Sequence, residues 1–257
     1  MGGNAVVGNS DFLDVSGRVY LVAGAAGGLA APLVRALLER NARLVLMDMN
    51  TKALEALTSA APEAVALEGD ITDKRMTERA VTLARDRFGR IDGGVNAAGL
   101  LPIAAAETME ADLFRRCIDV NLTGAFLFSQ ALAPALRAAG GGRILHIASV
   151  SSMVSNPAYA AYAGSKGGLA QIVCVLGREW GPTGITVNAT GPALTDTALT
   201  HEYLSDPAFR KKAISDIPMG RLGEPEDLIG MALLLLGPGG GFITGQTIYV
   251  DGGRTLV

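Results

Sequence analysis

From residue 18 onward the sequence alternates short apolar runs with longer amphipathic stretches, and this rhythm restricts the fold more than any other feature. Residues 18–23, 43–47, 64–67, 91–95, 143–148, 185–189 and 247–250 read as strands. Residues 28–40, a stretch from Thr51, and residues 73–88, 112–139 and 159–180 read as helices, with Asp73 as a cap. A last helix opens at Gly223-Glu224-Pro225 and runs to Leu236. Strands joined through helices need crossovers, so the sheet is mostly parallel. Runs that are apolar at every position are buried on both faces, as such a sheet requires. The expectation is a single α/β domain over residues 18–257, a doubly wound parallel sheet with helices on both faces, after an N-terminal arm of residues 1–17.

The chain's 257 residues, 49% of them hydrophobic, suffice for one large core. Its 33 glycines are spread through the chain and read as turns and close backbone approaches. A formal net charge of -3, with no basic run, argues against a nucleic-acid partner. Cys117 and Cys174 are the only cysteines, so no disulfide framework and no metal spacing is present, and both read as buried thiols in a reducing cytosol. No apolar run reaches membrane-spanning length. The first residues lack a basic start before an apolar core, and Val6 stands where a myristoylation signal wants Ser or Thr. The expectation is a flexible arm on a cytoplasmic protein.

Residues 22–30, VAGAAGGLA, run from a strand through a glycine turn into a helix, the context in which backbone approaches a pyrophosphate at a helix N-terminus. Asp48 ends the second strand about twenty residues on, where a carboxylate accepts hydrogen bonds from a ribose diol and repels a 2′-phosphate. Neither Ala25 nor Met49 supplies a compensating cation. Asp48 also reads as a helix cap, but with the loop the NAD reading is preferred, in a Rossmann-like domain. Asp70-Ile71 and Asn96-Ala97-Ala98-Gly99 follow the next two strands, where small residues leave room for a flat ligand. Taken singly, Asp70 equally suits a cap and Asn96 a turn.

Tyr162 and Lys166 are four apart and share a helix face. An ammonium beside a phenol favours the phenolate, which suits the tyrosine to proton transfer near neutral pH. Ser149 follows an apolar run and places a hydroxyl at a strand end. Asn121, followed by Gly124, runs against helix propensity in the middle of the 112–139 stretch, a local conflict that hints at function.

Together these residues resemble the short-chain dehydrogenase/reductase superfamily, over nearly the whole chain. The resemblance is carried by Gly24-x-x-x-Gly28-x-Ala30, Asn96 to Gly99, Asn121, Ser149, Tyr162-x-x-x-Lys166, Asn188, the 192–197 segment and the tail from Thr244 to Gly253. It implies hydride transfer between a nicotinamide cofactor and a secondary alcohol or ketone. It further implies Tyr162 as general acid/base and Lys166 lowering its pKa while holding the nicotinamide ribose. Ser149 would bind the substrate oxygen, and Asn121 would order a proton-relaying water. Cofactor contacts are expected at Gly24, Ala26, Gly27, Gly28, Leu29, Asp48, Met49, Asp70, Ile71, Asn96, Ala97, Ala98, Gly99, Val120, Tyr162, Lys166, Pro192, Leu194 and Thr197. Substrate contacts are expected at Ser149, Tyr162, Met153 and Ala193. Departures from the family pattern are Ala23 for Thr, Ala30 and Ala193 for Gly, and His146 where many members carry Asn. His146 and His201 read as structural.

Residues 193–223 lose the strand–helix rhythm and read as a substrate lid. Arg210, Lys211 and Lys212 on it read as a solvated face. The apolar length of the 112–139 and 159–180 helices, with the family habit, suggests a homotetramer, a homodimer being the other option. The leading functional expectation is an NAD-dependent dehydrogenase of small-molecule or sugar alcohols. A 3-oxoacyl-carrier-protein reductase is opposed by Asp48 and by Tyr159-Ala160-Ala161 before Tyr162. A silent nucleotide-binding scaffold is opposed by the intact set of Asn121, Ser149, Tyr162 and Lys166.

Overall fold

In a computed structural model, described for residues 11–59 and 61–257, the seven expected strands form one parallel sheet. They are β1 (Val19–Ala23), β2 (Arg43–Asp48), β3 (Ala64–Glu68), β4 (Gly93–Asn96), β5 (Gly142–Ile147), β6 (Ile185–Pro192) and β7 (Thr247–Val250), in spatial order β3-β2-β1-β4-β5-β6-β7. The order reverses between β1 and β4, whose registered ends are Ala23 and Asn96. The crossovers are α1 (Ala30–Leu38), α2 (Thr51–Thr58), α3 (Lys74–Phe88), α4 (Ala111–Ile118), α5 (Gly124–Ala138) and α6 (Ala160–Trp180). Asp73 caps α3, its carboxylate accepting from Arg75 N.

Side chains alternate across the sheet and build a core on each face. On β1, Val19, Leu21 and Ala23 join Phe128, Leu132 and Leu136 of α5 and Leu169 and Val173 of α6. Tyr20 and Val22 join Leu33, Val34 and Leu37 of α1 on the opposite face, together with Leu233 and Leu236 of a later helix, α9 (Ile229–Leu236). Tyr20 buries its ring and donates its hydroxyl to Leu236 O at 2.9 Å, so its one polar atom is satisfied. Ala30, in place of a family glycine, packs its methyl into this second core. Asn188 of β6 ties the sheet to the segment before β7, donating to Ile243 O at 2.7 Å and accepting from Gln246 N at 3.1 Å.

Four sequence expectations change. The continuous 112–139 helix is broken: α4 and α5 are separated by a widened π turn over Asp119–Thr123, the place where Asn121 opposed helix propensity. The helix opening at Glu224 begins as a tighter 3-10 turn (Pro225–Leu228) and becomes α-helical only in α9. Part of the expected arm is packed into the fold. Val15 is fully buried and Phe12 O accepts from Gly239 N at 3.0 Å, because the segment covers the end of α9; residues 1–10 lie outside the described residues. Cys117 is buried but Cys174 is exposed on the outer face of α6, its Sγ 3.3 Å from Gly245 O. No helix among the described residues is long and apolar enough to cross a membrane.

Phe128 is fully enclosed between α5 and the sheet. Phe128→Ala removes its contacts and leaves a cavity, so a loss of about 3–5 kcal/mol is expected in urea unfolding; a loss below about 1 kcal/mol would mean that this packing is not what holds α5 to the sheet.

Candidate active site

The reversal of strand order opens a crevice beyond the carboxyl ends of β1 and β4, the usual ligand position in such sheets. Gly24 turns the chain there with φ of +70°, and a Cβ on it would lie 2.5 Å from Ala98 N. Only glycine permits this approach of the two turns. Gly27 and Gly28 stay exposed at the opening of α1, with Ala26 and Leu29 half-buried. Asp48 reaches back under the loop: one oxygen accepts from Ala26 N at 3.0 Å, the other from Asn50 N at 2.9 Å. Each oxygen keeps a further acceptor position.

A cavity of about 680 Å³ runs along this edge, lined by Gly24, Gly27, Asp48, Met49, Asp70, Ile71, Ala97, Ala98, Gly99 and Val120. Asp70 accepts from both N and Oγ1 of Thr72 at 2.8 Å and so also shapes its own turn. Asn96 is buried beneath the cavity wall, its Oδ1 accepting from Ala98 N at 3.1 Å. It supports the 97–99 turn from below. The glycine cradle, small-residue floor and free carboxylate positions fit an extended dinucleotide.

A second cavity, of about 400 Å³, shares Ala97 and Gly99 with the first. Ser149, Tyr162 and Lys166 line it, with Leu29, Pro192, Ala193, Leu194 and Thr197. Ser149 leaves β5 in extended conformation and its Oγ accepts from Ser151 N at 3.1 Å. Lys166 is buried on α6 and donates from Nζ to Ile147 O at 2.7 Å, with Nζ 5.8 Å from the Tyr162 ring centre. Asn121 projects from the π turn: Oδ1 accepts from Leu100 N at 2.7 Å, and Nδ2 donates to Leu100 O at 2.9 Å and Ser165 Oγ at 3.0 Å. The widened turn thus ties Asn121 to the Leu100 backbone and to α6, and the side chain lines neither cavity.

The electrostatics correct one sequence expectation. Burial pushes the Tyr162 phenol up to about 12, offset only in part by the Ser149 hydroxyl. Burial also pushes the Lys166 ammonium down to about 8. In the protein alone desolvation therefore outweighs the attraction expected between Tyr162 and Lys166, since it disfavours both charged forms.

The 193–223 segment roofs the second cavity. Its ends meet in a parallel bridge between Thr195 and Gly223, and it folds as two short helices, α7 (His201–Leu204) and α8 (Pro207–Ser215). Thr197 presses on the nucleotide loop so closely that a Cβ on Gly28 would lie 2.7 Å from its Cβ. Tyr203 reaches across to donate to Leu101 O at 3.2 Å.

Met153, expected at the substrate, instead points to solvent, 66% exposed, because a 3-10 turn at Val150–Ser152 redirects the chain. Asn156, Pro157, Tyr159, Phe209, Lys212, Asp216 and Arg254 line the cavity without having been singled out as substrate contacts. Lys212, read as part of a solvated face, in fact stands at the cavity rim, whereas Arg210 pairs with Asp196 outside it. Asn156, Pro157 and Tyr159 follow Ser149 within ten residues, whereas Phe209, Lys212 and Asp216 reach the cavity through the folding of the 193–223 segment and Arg254 through the fold-back of the tail, which no local spacing signals.

His146 is fully buried and lies outside both cavity walls. Ser129 spends its proton on Ala125 O, so its oxygen accepts from His146 Nε2 at 2.9 Å, leaving Nδ1 to face Asn96 Nδ2 at 3.4 Å. Burial holds the imidazole neutral, its pKa pushed down to about 3. It therefore braces the residue that supports the 97–99 turn. His201 lies at 3.5 Å from Asp196, exposed on the lid.

The fold and paired cavities define a doubly wound α/β protein of the nucleotide-binding class. The family model described as "Enoyl-(Acyl carrier protein) reductase" matches residues 24–255. D-threitol dehydrogenase of Mycolicibacterium smegmatis is 33% identical over 247 residues, 94% of each chain. NAD-dependent glycerol dehydrogenase of Listeria innocua is 31% identical over 251 residues, 96% of this chain and 97% of that one. The crystal structure of a gluconate 5-dehydrogenase from Burkholderia cenocepacia, in complex with NADP and tartrate, superposes with a TM-score of 0.91 at 31% identity, covering 96% of this chain and 98% of the other. The chain belongs to the short-chain dehydrogenase/reductase superfamily, nicotinamide-dependent oxidoreductases of alcohols and ketones.

Neutral burial of His146 has a pH consequence. Its folded pKa lies below its unfolded value of about 6.5, so its contribution is complete above about 6.5 and drains as pH falls toward about 3. At about 1.4 kcal/mol per pH unit, about 2 kcal/mol is lost by about pH 5. Urea midpoints at about pH 7 and about pH 5 should show a smaller drop for His146→Asn than for the parent, and equal drops would exclude His146 as the cause.

Proposed function

We propose that this chain interconverts a small polyol or sugar-type secondary alcohol with its ketone, using NAD(H), with Tyr162 as the general acid/base. The observation that carries this reading is that Ser149, Tyr162 and Lys166 line one cavity that adjoins the Asp48 cradle. The names of the threitol, glycerol and gluconate dehydrogenases among its relatives support the substrate class. The bound nicotinamide supplies a two-electron hydride acceptor or donor. Tyr162 takes the substrate hydroxyl proton in oxidation and returns it in reduction. Ser149 holds the substrate oxygen, Lys166 holds the nicotinamide ribose, and Asn121 orders a water that passes protons to Lys166. A phenol resting near 12 is already the acid that reduction needs. Oxidation needs it ionised, which a positive charge brought beside it favours. Residues 193–223 act as the lid of a single catalytic domain covering residues 18–257.

Asp48 is the basis for NAD over NADP. Its carboxylate has acceptor positions for a ribose diol and would repel a phosphate at the same place. Exposed Leu113, Phe114, Phe126 and Val175 on α4, α5 and α6 support a homotetramer packed through those helices, and we place the protein in the cytoplasm.

Tyr162→Phe should lower turnover by about 10³-fold while NADH affinity stays within about threefold, read by steady-state kinetics and fluorescence titration; retained turnover would place the acid/base elsewhere. Oxidation rates should climb between about pH 7 and about pH 10, because the phenol must lose its proton, while reduction rates should not climb. In the same titration NADH should bind at least about tenfold more tightly than NADPH, and Asp48→Ala should narrow the gap. Comparable parent affinities would remove Asp48 as the selector.

A further inference from the structure

The loop that leads into α6 carries two local costs in succession. Among the described residues only Asn41 and Ala158 hold a left-handed conformation without being glycine, Ala158 at φ of +67°. Asparagine is at home there; alanine is not. Ala158 follows Pro157 in a turn closed by Tyr159 N, which donates to Asn156 O at 3.3 Å, and Ala104 N donates to the Ala158 carbonyl at 3.1 Å. A left-handed residue after proline in such a turn is ordinarily Gly or Asn. Tyr159, next in the chain, is the N-cap of α6 and makes no side-chain cap hydrogen bond, where Ser, Thr, Asp or Asn would serve. Backbone strain beside a forgone cap points to a task for the side chain that the turn delivers.

Tyr159 lines the substrate cavity, its ring edge-on to that of Tyr162 with centres 6.0 Å apart. The chain has five tyrosines. The hydroxyl of Tyr20 donates to Leu236 O, that of Tyr203 to Leu101 O, and that of Tyr249 pairs with Ser152 Oγ. Tyr162 has the Ser149 hydroxyl. Tyr159 is the one whose hydroxyl no described residue holds. Burial, and after it Tyr203, push this phenol above its ordinary pKa, so it stays an O–H donor near neutral pH. A phenolic hydroxyl both donates and accepts, which matches an alcohol hydroxyl.

We infer that Tyr159 is a second substrate-binding phenol, which holds a further hydroxyl of the substrate beside the one that meets Ser149 and Tyr162, and so selects polyols over alcohols with a single hydroxyl. This deepens the proposed function and rests on it. Tyr159 touches a part of the substrate that does not react, so its effect falls mainly on KM.

The test is steady-state oxidation of threitol and of sec-butanol, four-carbon secondary alcohols with and without further hydroxyls, with NAD as oxidant. The parent should favour threitol in kcat/KM by about fivefold or more. Tyr159→Phe keeps the ring against Tyr162 and removes only the hydroxyl. It should raise KM for threitol by about 3–10-fold with kcat within about twofold. Its melting temperature should stay within about 1 °C of the parent's, because the hydroxyl has no partner in the protein to lose. An unmoved KM, a loss confined to kcat, a larger drop in melting temperature, or a parent that oxidises sec-butanol as well as threitol overturns the inference while leaving the dehydrogenase reading intact. Should threitol not be oxidised, the proposed substrate class fails, and calorimetry on the NADH-loaded protein reads Tyr159 separately. Threitol should then bind the parent about threefold or more tightly than Tyr159→Phe. Equal binding, or none, overturns the inference.

Discussion

Two turns of backbone touch without a side chain between them, and the whole site hangs from that contact. Gly24 leaves β1 against Ala98, which leaves β4, and these strands meet because the sheet order reverses between them. Ala97 N donates to Ala23 O at 2.9 Å, and Gly24 N to Met47 O at 2.9 Å, so the ends of three strands are joined at one point. The nucleotide cradle opens on one side of this joint and the Tyr162 cavity on the other. Ala97 and Gly99 belong to both.

Polar groups around the joint are buried and nearly all matched. Asn96 holds the 97–99 turn, His146 holds Asn96, and Ser129 of α5 holds His146. On the other side, the π turn brings Asn121 onto both backbone groups of Leu100. Such networks are rigid because each unmatched group would carry the full cost of desolvation. The same burial raises the Tyr162 phenol and depresses the Lys166 ammonium, so desolvation works against the charged form of each group. A charged ligand entering between them has strong leverage on both.

Much of this was legible before the structure. Strand rhythm revealed the parallel sheet, since a strand buried on both faces must be apolar at every position. The glycine loop, Asp48 and the Tyr162–Lys166 spacing are local signals, each carried within one element or turn. Asn121 was visible as a conflict with helix propensity, and the π turn is how the fold accommodates it. Other features were not legible. Met153 sits in the expected stretch, yet a short 3-10 turn aims it at solvent. Cys174 looks like any other residue of an apolar helix, but it lies on the outer face.

The sequence by itself determined the order of elements, the glycine loop after β1 and the spacing that sets Tyr162 and Lys166 on one helix face, because periodicity and turn chemistry act over a few residues. Only the tertiary structure decided what surrounds them. Lys212 belongs to the cavity because the lid folds over it, and Arg254 because the tail returns across a separation of 98 residues to Asn156. The sign of the Tyr162 shift was likewise decided by burial, which depends on every element packed around the phenol. Desolvation is a property of the assembled interior, and no spacing along the chain encodes it.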